Sequence, residues 1–260
     1  MIKEQTETIL QDATKQSSKE VVIEITNLCK SFGKQEVLKD LSLQLFNGEN
    51  LVVLGKSGSG KSVLIKCIVG LLQADSGKIE VFHENILTLK QKKLDIVRQK
   101  IGFLFQSGAL YDSMTVKENL EFPLKRMKKH LNQQEIDKKI LETLENVGLP
   151  EAIDKMPSQL SGGMCKRISL ARTIVVDPLI MLYDEPTTGL DPVTSDEISR
   201  LINDIQKKYK TSSIIITHDI GCARTTANRL IMLQDGSAYK EGSLTEFDKS
   251  TDKVIQSFFK

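Results

Sequence analysis

Apolar residues along this chain fall into two periods, and the switches between them mark out its elements. From Val21 the run Val-Val-Ile-Glu-Ile-Thr-Asn-Leu predicts a strand, and Leu41 to Leu45 alternates in the same way. Asn47-Gly48 separates that alternation from the run Leu51-Val-Val-Leu54, as expected at a hairpin or turn. Beyond it, short apolar strands alternate with amphipathic helices. Ser62 to Leu72 reads as helix, Lys78 to Phe82 and Ile101 to Phe105 as strands, and residues 115–149 as mostly helical. Thr115 with Glu118 makes a capping box at one helix start, and Gly148-Leu-Pro150 supplies a stop. Ile180 to Tyr183 and Ser213 to Thr217 are short, apolar and β-branched or aromatic, as strands buried on both faces of a parallel sheet are. The alternation predicts an α/β fold, preceded by a polar segment, residues 1–20, that reads as a short helix or mobile tail.

Composition narrows the class. The 260 residues are 40% hydrophobic, enough for a sizeable core, which excludes wholesale disorder. Lys and Arg number 36 against 34 Asp and Glu, and a net charge of +2 argues against a dedicated nucleic-acid binder. No apolar run approaches the ~18 residues that span a bilayer, and the N-terminus lacks the apolar centre of a signal peptide. A soluble cytoplasmic protein is expected. Cys29, Cys67, Cys165 and Cys222 lie far apart without metal-ligand spacing and read as free thiols. Two basic clusters, Lys90 to Lys100 and Lys125 to Lys129, are of the kind that meets anionic lipid or RNA; the balanced total favours solvated helix faces instead.

The chemistry begins at Gly55-Lys56-Ser57-Gly58-Ser59-Gly60-Lys61-Ser62, which follows the strand-like Leu51 to Leu54 and precedes a helix. This is the phosphate-loop pattern GxxxxGK[ST]. Its glycines let successive backbone N–H groups turn toward phosphate oxygens, Lys61 reaches the β- and γ-phosphates, and the Ser62 hydroxyl ligates Mg²⁺. Leu179 to Tyr183 ends in Asp184-Glu185, whose side chains leave a strand on opposite faces and so serve different tasks. Asp184 suits the Mg²⁺ shell and Glu185 the activation of water beside the γ-phosphate. Two more strands end in polar residues, Gln106 and His218. Ligands of open α/β sheets bind outside the carboxyl ends of strands, so Gly55, Gln106, Asp184 and His218 are expected to converge. Leu160-Ser161-Gly162-Gly163-Met164 offers a second anion site, where Ser161 is a good N-cap before a helix with Ile168, Ala171 and Val175 on one face; standing alone, the same residues read as an ordinary flexible cap.

In this order the motifs resemble the ATP-binding cassette (ABC) ATPases over about residues 21–240. Gly55 to Ser62 is similar to Walker A, Gln106 to the Q-loop, Leu160 to Met164 to the signature, Leu179 to Asp184 to Walker B, Gly189-Leu-Asp191 to the D-loop and His218 to the switch histidine. The resemblance implies a P-loop NTPase with a RecA-like core (21–106 and 165–240) carrying an antiparallel β subdomain, a helical signature subdomain (107–164) and a C-terminal tail (241–260). It also implies that Phe32 stacks on adenine, that Glu185 is the catalytic base with Gln106, His218 and Lys61 beside it, and that Mg²⁺ is held by Ser62, Gln106 and Asp184. Two copies would pair head to tail, with Ser161, Gly162 and Gly163 acting on ATP held by the partner's phosphate loop; Asp191 of the D-loop would also bind nucleotide.

The stretch from Phe105 to Leu124, with LSGGM and Tyr183 to Pro192, resembles the ATPases of Mla/MCE-type phospholipid transporters. That resemblance implies an integral membrane permease partner and an MCE-domain lipid-binding protein, with the cassette peripheral on the cytoplasmic face of the membrane. It would dock through Leu110, Tyr111 and Met114. Departures from the family are Met164 in place of Gln, Cys165 beside the signature, and Val81-Phe-His-Glu-Asn without the frequent turn glycine. The competing expectations are an ABC ATPase powering transport of a non-lipid substrate and a soluble, non-transport ABC ATPase.

Overall fold

The computed structural model describes residues 20–259, so the expectation for the N-terminal segment lies almost wholly outside the described residues. In chain order the strands are β1 (Val21–Phe32), β2 (Gln35–Phe46), β3 (Asn50–Leu54), β4 (Ser76–Val81), β5 (Glu84–Asn85), β6 (Ile101–Leu104), β7 (Ile180–Asp184), β8 (Ser212–Thr217), β9 (Arg229–Gln234) and β10 (Ser237–Gly242). The helices are α1 (Lys61–Ile68), α2 (Gln91–Arg98), α3 (Val116–Met127), α4 (Gln133–Asn146), α5 (Gly162–Ile174), α6 (Pro192–Tyr209), α7 (Ile220–Thr226), α8 (Leu244–Asp248) and α9 (Lys253–Phe259).

The strands form two sheets. One is antiparallel, in the order β2-β1-β4-β5; the other has six strands in the order β10-β9-β3-β8-β7-β6. Within the second, β9, β3, β8, β7 and β6 are parallel and only β10 runs antiparallel, against β9. The alternation of side chains along β3 distributes the core. Leu51 and Val53 join an apolar cluster with the antiparallel sheet and α1, whereas Val52 and Leu54 join a second cluster built with α3, α4, α5 and α6. All of β3, β7 and β8 is buried, which is why these strands read as unbroken apolar runs.

Asn47-Gly48 makes a turn, but not a hairpin. β2 pairs with β1, and β3 leaves it to lie between β8 and β9 in the other sheet. The physical reason is burial. β3 is apolar on both faces and is satisfied only inside the central sheet, while β2 alternates and covers it. The turn is tied to that sheet by Gly48 N–H donating to Ser212 Oγ (2.9 Å) and by Gln206 Nε2 donating to Gly48 O (2.7 Å).

The helical expectation holds over residues 115–149, whereas the helix expected from Ser62 to Leu72 spans only Lys61–Ile68. Thr115 caps α3 with the reciprocal Glu118 contact, and a second box, Asn132 with Glu135, starts α4. The loop before α3 is held by Asn119, fully buried, whose Nδ2 donates to the carbonyls of Tyr111, Met114 and Thr115 while Oδ1 accepts from Tyr111 N–H.

The missing turn glycine after Val81 has a visible cost. Val81 pairs with Glu84, leaving a two-residue loop in which Phe82 (φ 50°) and His83 (φ 65°) are both left-handed. Tight hairpins demand that geometry, and glycine meets it without a Cβ clash. His83→Gly should raise the unfolding free energy by about 1 kcal/mol, read from the midpoint of a urea titration. A lower midpoint would mean that the imidazole itself holds the turn.

Candidate functional site

Register sets the site. Leu54 lies opposite Thr217, Asp184 opposite Ile216, and Leu104 opposite Tyr183, so the residues that follow these strands emerge at one edge of the sheet. That edge carries Gly55, Gln106, Glu185 and His218, as the convergence of strand ends predicts.

The phosphate loop bends back on itself through Ser59 N–H donating to Lys56 O (3.1 Å). Gly60 is left-handed (φ 101°), and a Cβ there would come within 2.8 Å of Val37 O, so glycine is the residue that fits against β2. α1 begins at Lys61. The Lys61 ammonium is 5% exposed and donates to Gly55 O (2.8 Å) and Lys56 O (3.0 Å). It lies 3.5 Å from Glu185 Oε1. Burial lowers its pKa, opposed by the carboxylates of Glu185 and Asp184. Ser62 Oγ donates to Asp184 Oδ1 (3.0 Å), and burial raises the Asp184 carboxyl while that hydrogen bond and Lys66 pull it back.

Asp184 ends β7 and Glu185 lies just past it, and the two carboxylates take different partners. Asp184 faces Ser62. Glu185 is left-handed (φ 50°), yet its N–H still donates to Ile216 O (2.9 Å), so the chain twists sharply without leaving the ladder. The twist sends its carboxylate between Lys61 and His218. Oε2 lies 2.8 Å from His218 Nδ1, and it also accepts from His218 N–H (3.3 Å) and Thr188 Oγ1 (3.4 Å). A non-glycine residue held here costs on the order of 1–2 kcal/mol, and such strain is typically kept where geometry serves a function.

The other expected residues lie further out. Phe32 ends β1 with 47% of its surface exposed and the Lys30 ammonium 5.4 Å from its ring centroid. Gln106 is exposed, and its carbonyl accepts from Lys166. Ser161 caps α5 through Oγ, which accepts from Met164 N–H (3.2 Å). A Cβ on Gly162 would lie 3.8 Å from Leu190, and one on Gly163 would clash with Thr194 at 2.7 Å. Gly162 and Gly163 thus neighbour Leu190 and the start of α6, Ser161 and Gly162 are exposed, and none of the three hydrogen-bonds Lys61 or Glu185. Asp191 caps α6 and accepts from Thr194 N–H (3.0 Å) and Thr194 Oγ1 (2.5 Å); the Oγ1 contact is the foremost reason its carboxyl is held below the usual range.

Two contributors were not picked out by the motifs. Lys166, 8% exposed on α5, is close enough for Asp184 and Glu185 to oppose the lowering of its pKa by burial. Asp219 caps α7 and accepts from Thr187 Oγ1 (2.9 Å), joining the segment after Glu185 to the one after His218. An Asp before a helix start is a legible N-cap signal; a lysine within an amphipathic helix carries none.

These residues fit a nucleotide triphosphate with Mg²⁺. Ser62 and Asp184 offer the hard oxygen donors that Mg²⁺ takes. Ser59 Oγ is buried inside the loop with no hydrogen-bond partner among the described residues. The loop around Gly58 is open, with nothing within 4 Å of a Cβ there. A cavity of about 690 Å³ adjoins the first half of the loop, between Val37, Lys56 to Ser59 and α9, a volume in the range of small-molecule sites.

A phosphate loop at the carboxyl edge of a mostly parallel sheet, faced by Asp184 and Glu185, defines a P-loop nucleotide-binding cassette. Residues 38–188 match the ABC transporter family, and the chain belongs to that family. It is 42% identical over 238 residues to the probable ribonucleotide transport ATP-binding protein mkl of Mycobacterium leprae (strain TN), covering 92% of this chain and 68% of that protein. It is 35% identical to the protein TRIGALACTOSYLDIACYLGLYCEROL 3, chloroplastic, of Arabidopsis thaliana (94% of this chain, 74% of that one). It is 37% identical to the methionine import ATP-binding protein MetN of Lactobacillus johnsonii (86% and 65%). Among solved structures it superposes on the dimeric bacterial ABC transporter cassette MJ0796 with a TM-score of 0.79 and 32% identity, covering 85% of this chain and 98% of that one. A post-hydrolysis form of the same cassette bound to ADP and Pi gives 0.78. ATP hydrolysis, with Mg²⁺ as the companion ion, is the activity that membership brings.

Lys61→Ala should weaken ATP binding about tenfold to a hundredfold, the worth of a charge-assisted hydrogen bond. Calorimetric titration reads this directly, and an unchanged affinity would remove Lys61 from the phosphate site.

Proposed function

We propose that this chain is the ATP-hydrolysing subunit of a transporter that moves phospholipid, working as a head-to-tail dimer beneath an integral membrane permease. The observation that carries the catalytic part is the Glu185 carboxylate held between Lys61 and His218, one residue from the Ser62–Asp184 pair. In this reading Gly55, Lys56, Ser57, Gly58, Ser59 and Gly60 present backbone N–H groups to the phosphates. Lys61 neutralises the β- and γ-oxygens, and Phe32 stacks on adenine. Bound Mg²⁺ neutralises phosphate charge, and Ser62, Asp184 and Gln106 are the residues that would hold it.

Glu185 polarises the attacking water, and His218 fixes the carboxylate's orientation through Nδ1. The local geometry supports this division: Asp184 is committed to Ser62, while Glu185 reaches the lysine that would meet the γ-phosphate. Ser161, Gly162, Gly163 and Asp191 would complete the site of the partner copy, which agrees with their place away from Lys61 in a single chain. The division into a core (21–106 and 165–240) and a helical part (107–164) is proposed on the same footing. α5 runs unbroken across the join and ties the two together.

The lipid assignment rests on the resemblance of Phe105 to Leu124 to MCE-type ATPases, and it is supported by one relative whose name carries a galactolipid. Tyr111 is 40% exposed and packs edge-on against the exposed Phe122 (5.3 Å between centroids), an apolar surface suited to a permease. Among the described residues no helix is long and apolar enough to cross a membrane, in keeping with a chain placed on the cytoplasmic face by its permease. An MCE-domain lipid-binding protein would stand beyond that permease. A second reading, transport of a non-lipid solute, is favoured by relatives named for ribonucleotide and methionine.

Glu185→Gln should keep ATP affinity within about twofold while turnover falls about a thousandfold, and it should accumulate an ATP-bound dimer on gel filtration. Normal turnover by this variant would take the water-activating role away from Glu185. The complex purified from native membranes should carry an MCE-domain subunit and phospholipid, identified by mass spectrometry. A solute-binding protein without lipid would establish the second reading. Leu110→Ser with Tyr111→Ser should lose the permease from that preparation.

A further inference from the structure

Helix α5 carries three side chains that read along the backbone of the segment leaving β6. Lys166 donates to Gln106 O. Ser169, 2% exposed, stands against Gly108, where a Cβ would come within 2.5 Å of its Oγ; Gly108 is accordingly left-handed (φ 78°). Arg172 donates to Ala109 O, and its guanidinium sits 4.5 Å from the Tyr111 ring centroid. Positions 166, 169 and 172 form an i, i+3, i+6 ridge, and the first and last are about 9 Å apart along the axis. Arg167, on another side of the helix, bonds Glu197 (2.6 Å) and Val147 O (3.2 Å) and anchors α5 to α6 and α4. The ridge is therefore a separate contact surface: Ser169 Oγ donates to Cys165 O within α5 (2.6 Å) and only packs against Gly108, while the two cations take main-chain carbonyls of the segment. Those carbonyls lie in a segment that is itself irregular. Gly108 N–H donates to Phe105 O (2.9 Å), and Ala109, a non-glycine residue, has φ 55°. Nothing regular fixes this backbone, so the two cations supply what a strand or helix would otherwise provide.

We propose that Lys166 and Arg172 are positioning residues for the reaction. They clamp the carbonyls of Gln106 and Ala109, so that the Gln106 side chain and the Ser161–Gly163 end of α5 keep a fixed relation to each other. The clamp rests on the reading of Gln106 as a group that meets the nucleotide and its metal. It extends that reading to two residues that touch neither. Arg172 acts at both ends of the segment's other function, because the side chain that holds Ala109 also stacks on the exposed Tyr111. Movement of α5 is thereby transmitted to the docking surface without slack. Loss of either cation frees the carbonyl it holds and lets Gln106 drift, and a displacement of about 1 Å at such a group costs up to a hundredfold in rate.

The test is a double-mutant cycle on the full-length protein in its membrane complex, with kcat and KM for MgATP measured separately. Lys166→Met and Gln106→Ala should each lower kcat about tenfold or more with KM changed less than threefold. The double variant should fall within about twofold of Gln106→Ala alone, because Lys166 acts through Gln106. Lys166→Arg, which keeps a donor, should retain turnover within about twofold. If Lys166→Met does not fold, Arg172→Met takes its place in the cycle with the same expectation. Multiplying losses in the double variant, alongside an impaired Gln106→Ala, would overturn the clamp and leave the role of Gln106 standing. A fully active Gln106→Ala would overturn both.

Discussion

The structure depends on one constraint: a parallel sheet whose three central strands, β3, β8 and β7, are buried on both faces. Burial forces them to be short and apolar, and it leaves the ends of the strands as places where polar groups can stand in register. The lower half of the chain's chemistry follows from this. Gly55, Glu185 and His218 meet because β3, β7 and β8 are neighbours and of matched length. The antiparallel sheet, α1 and α2 cover one face, α3 to α9 the other, and neither layer can shift without exposing the strands between them. Each fully buried aliphatic side chain in that sheet contributes about 1.5–3 kcal/mol. The sheet edge can therefore hold arrangements that would not persist on a mobile loop.

Glu185 is the clearest case. A left-handed glutamate beside a desolvated lysine is unfavourable twice over, in backbone strain and in lost hydration. The ladder bond from its N–H to Ile216 O holds the backbone, and Lys61, Thr188 and His218 surround the carboxylate. A relaxed, extended Glu185 would alternate with Asp184 and point to the opposite face of the sheet, away from Lys61. The strain is what places both carboxylates on the nucleotide side while keeping them on different partners.

Much of this was legible in the residues themselves. The phosphate loop, the Asp184-Glu185 pair and the strand-end polar residues are local patterns, and their convergence follows from the parallel-sheet signature of Leu51 to Leu54, Ile180 to Tyr183 and Ser213 to Thr217. The Thr115–Glu118 box was equally plain, since both partners lie within one turn. What escaped was long-range. Asn47-Gly48 carries the signal of a hairpin, and only the pairing of β3 with β8, more than 150 residues away, shows that the chain changes sheets there. Lys166 and Arg172 look like ordinary cations of an amphipathic helix. Their partners are carbonyls about 60 positions earlier, and main-chain acceptors leave no mark in a sequence.

That asymmetry bears on how a cassette of this kind can work. Lys61, Glu185 and His218 sit at rigid strand ends, whereas on the proposed reading the segment from Gln106 to Met114 has to be held accurately yet stay free to move. Backbone carbonyls clamped by side chains of α5 meet both demands. The contacts are charge-assisted and therefore directional, but they are few, so the segment can move with α5 as a unit. Ser161 reinforces the arrangement from the other end. Its hydroxyl already satisfies Met164 N–H, which leaves the remaining N-terminal donors of α5 free for an anion brought by a partner. If such an anion pulls on that end of the helix, the displacement reaches Gln106 and Tyr111 through Lys166 and Arg172. One rigid helix would then suffice to join a nucleotide held by a partner copy to the proposed docking surface at Tyr111.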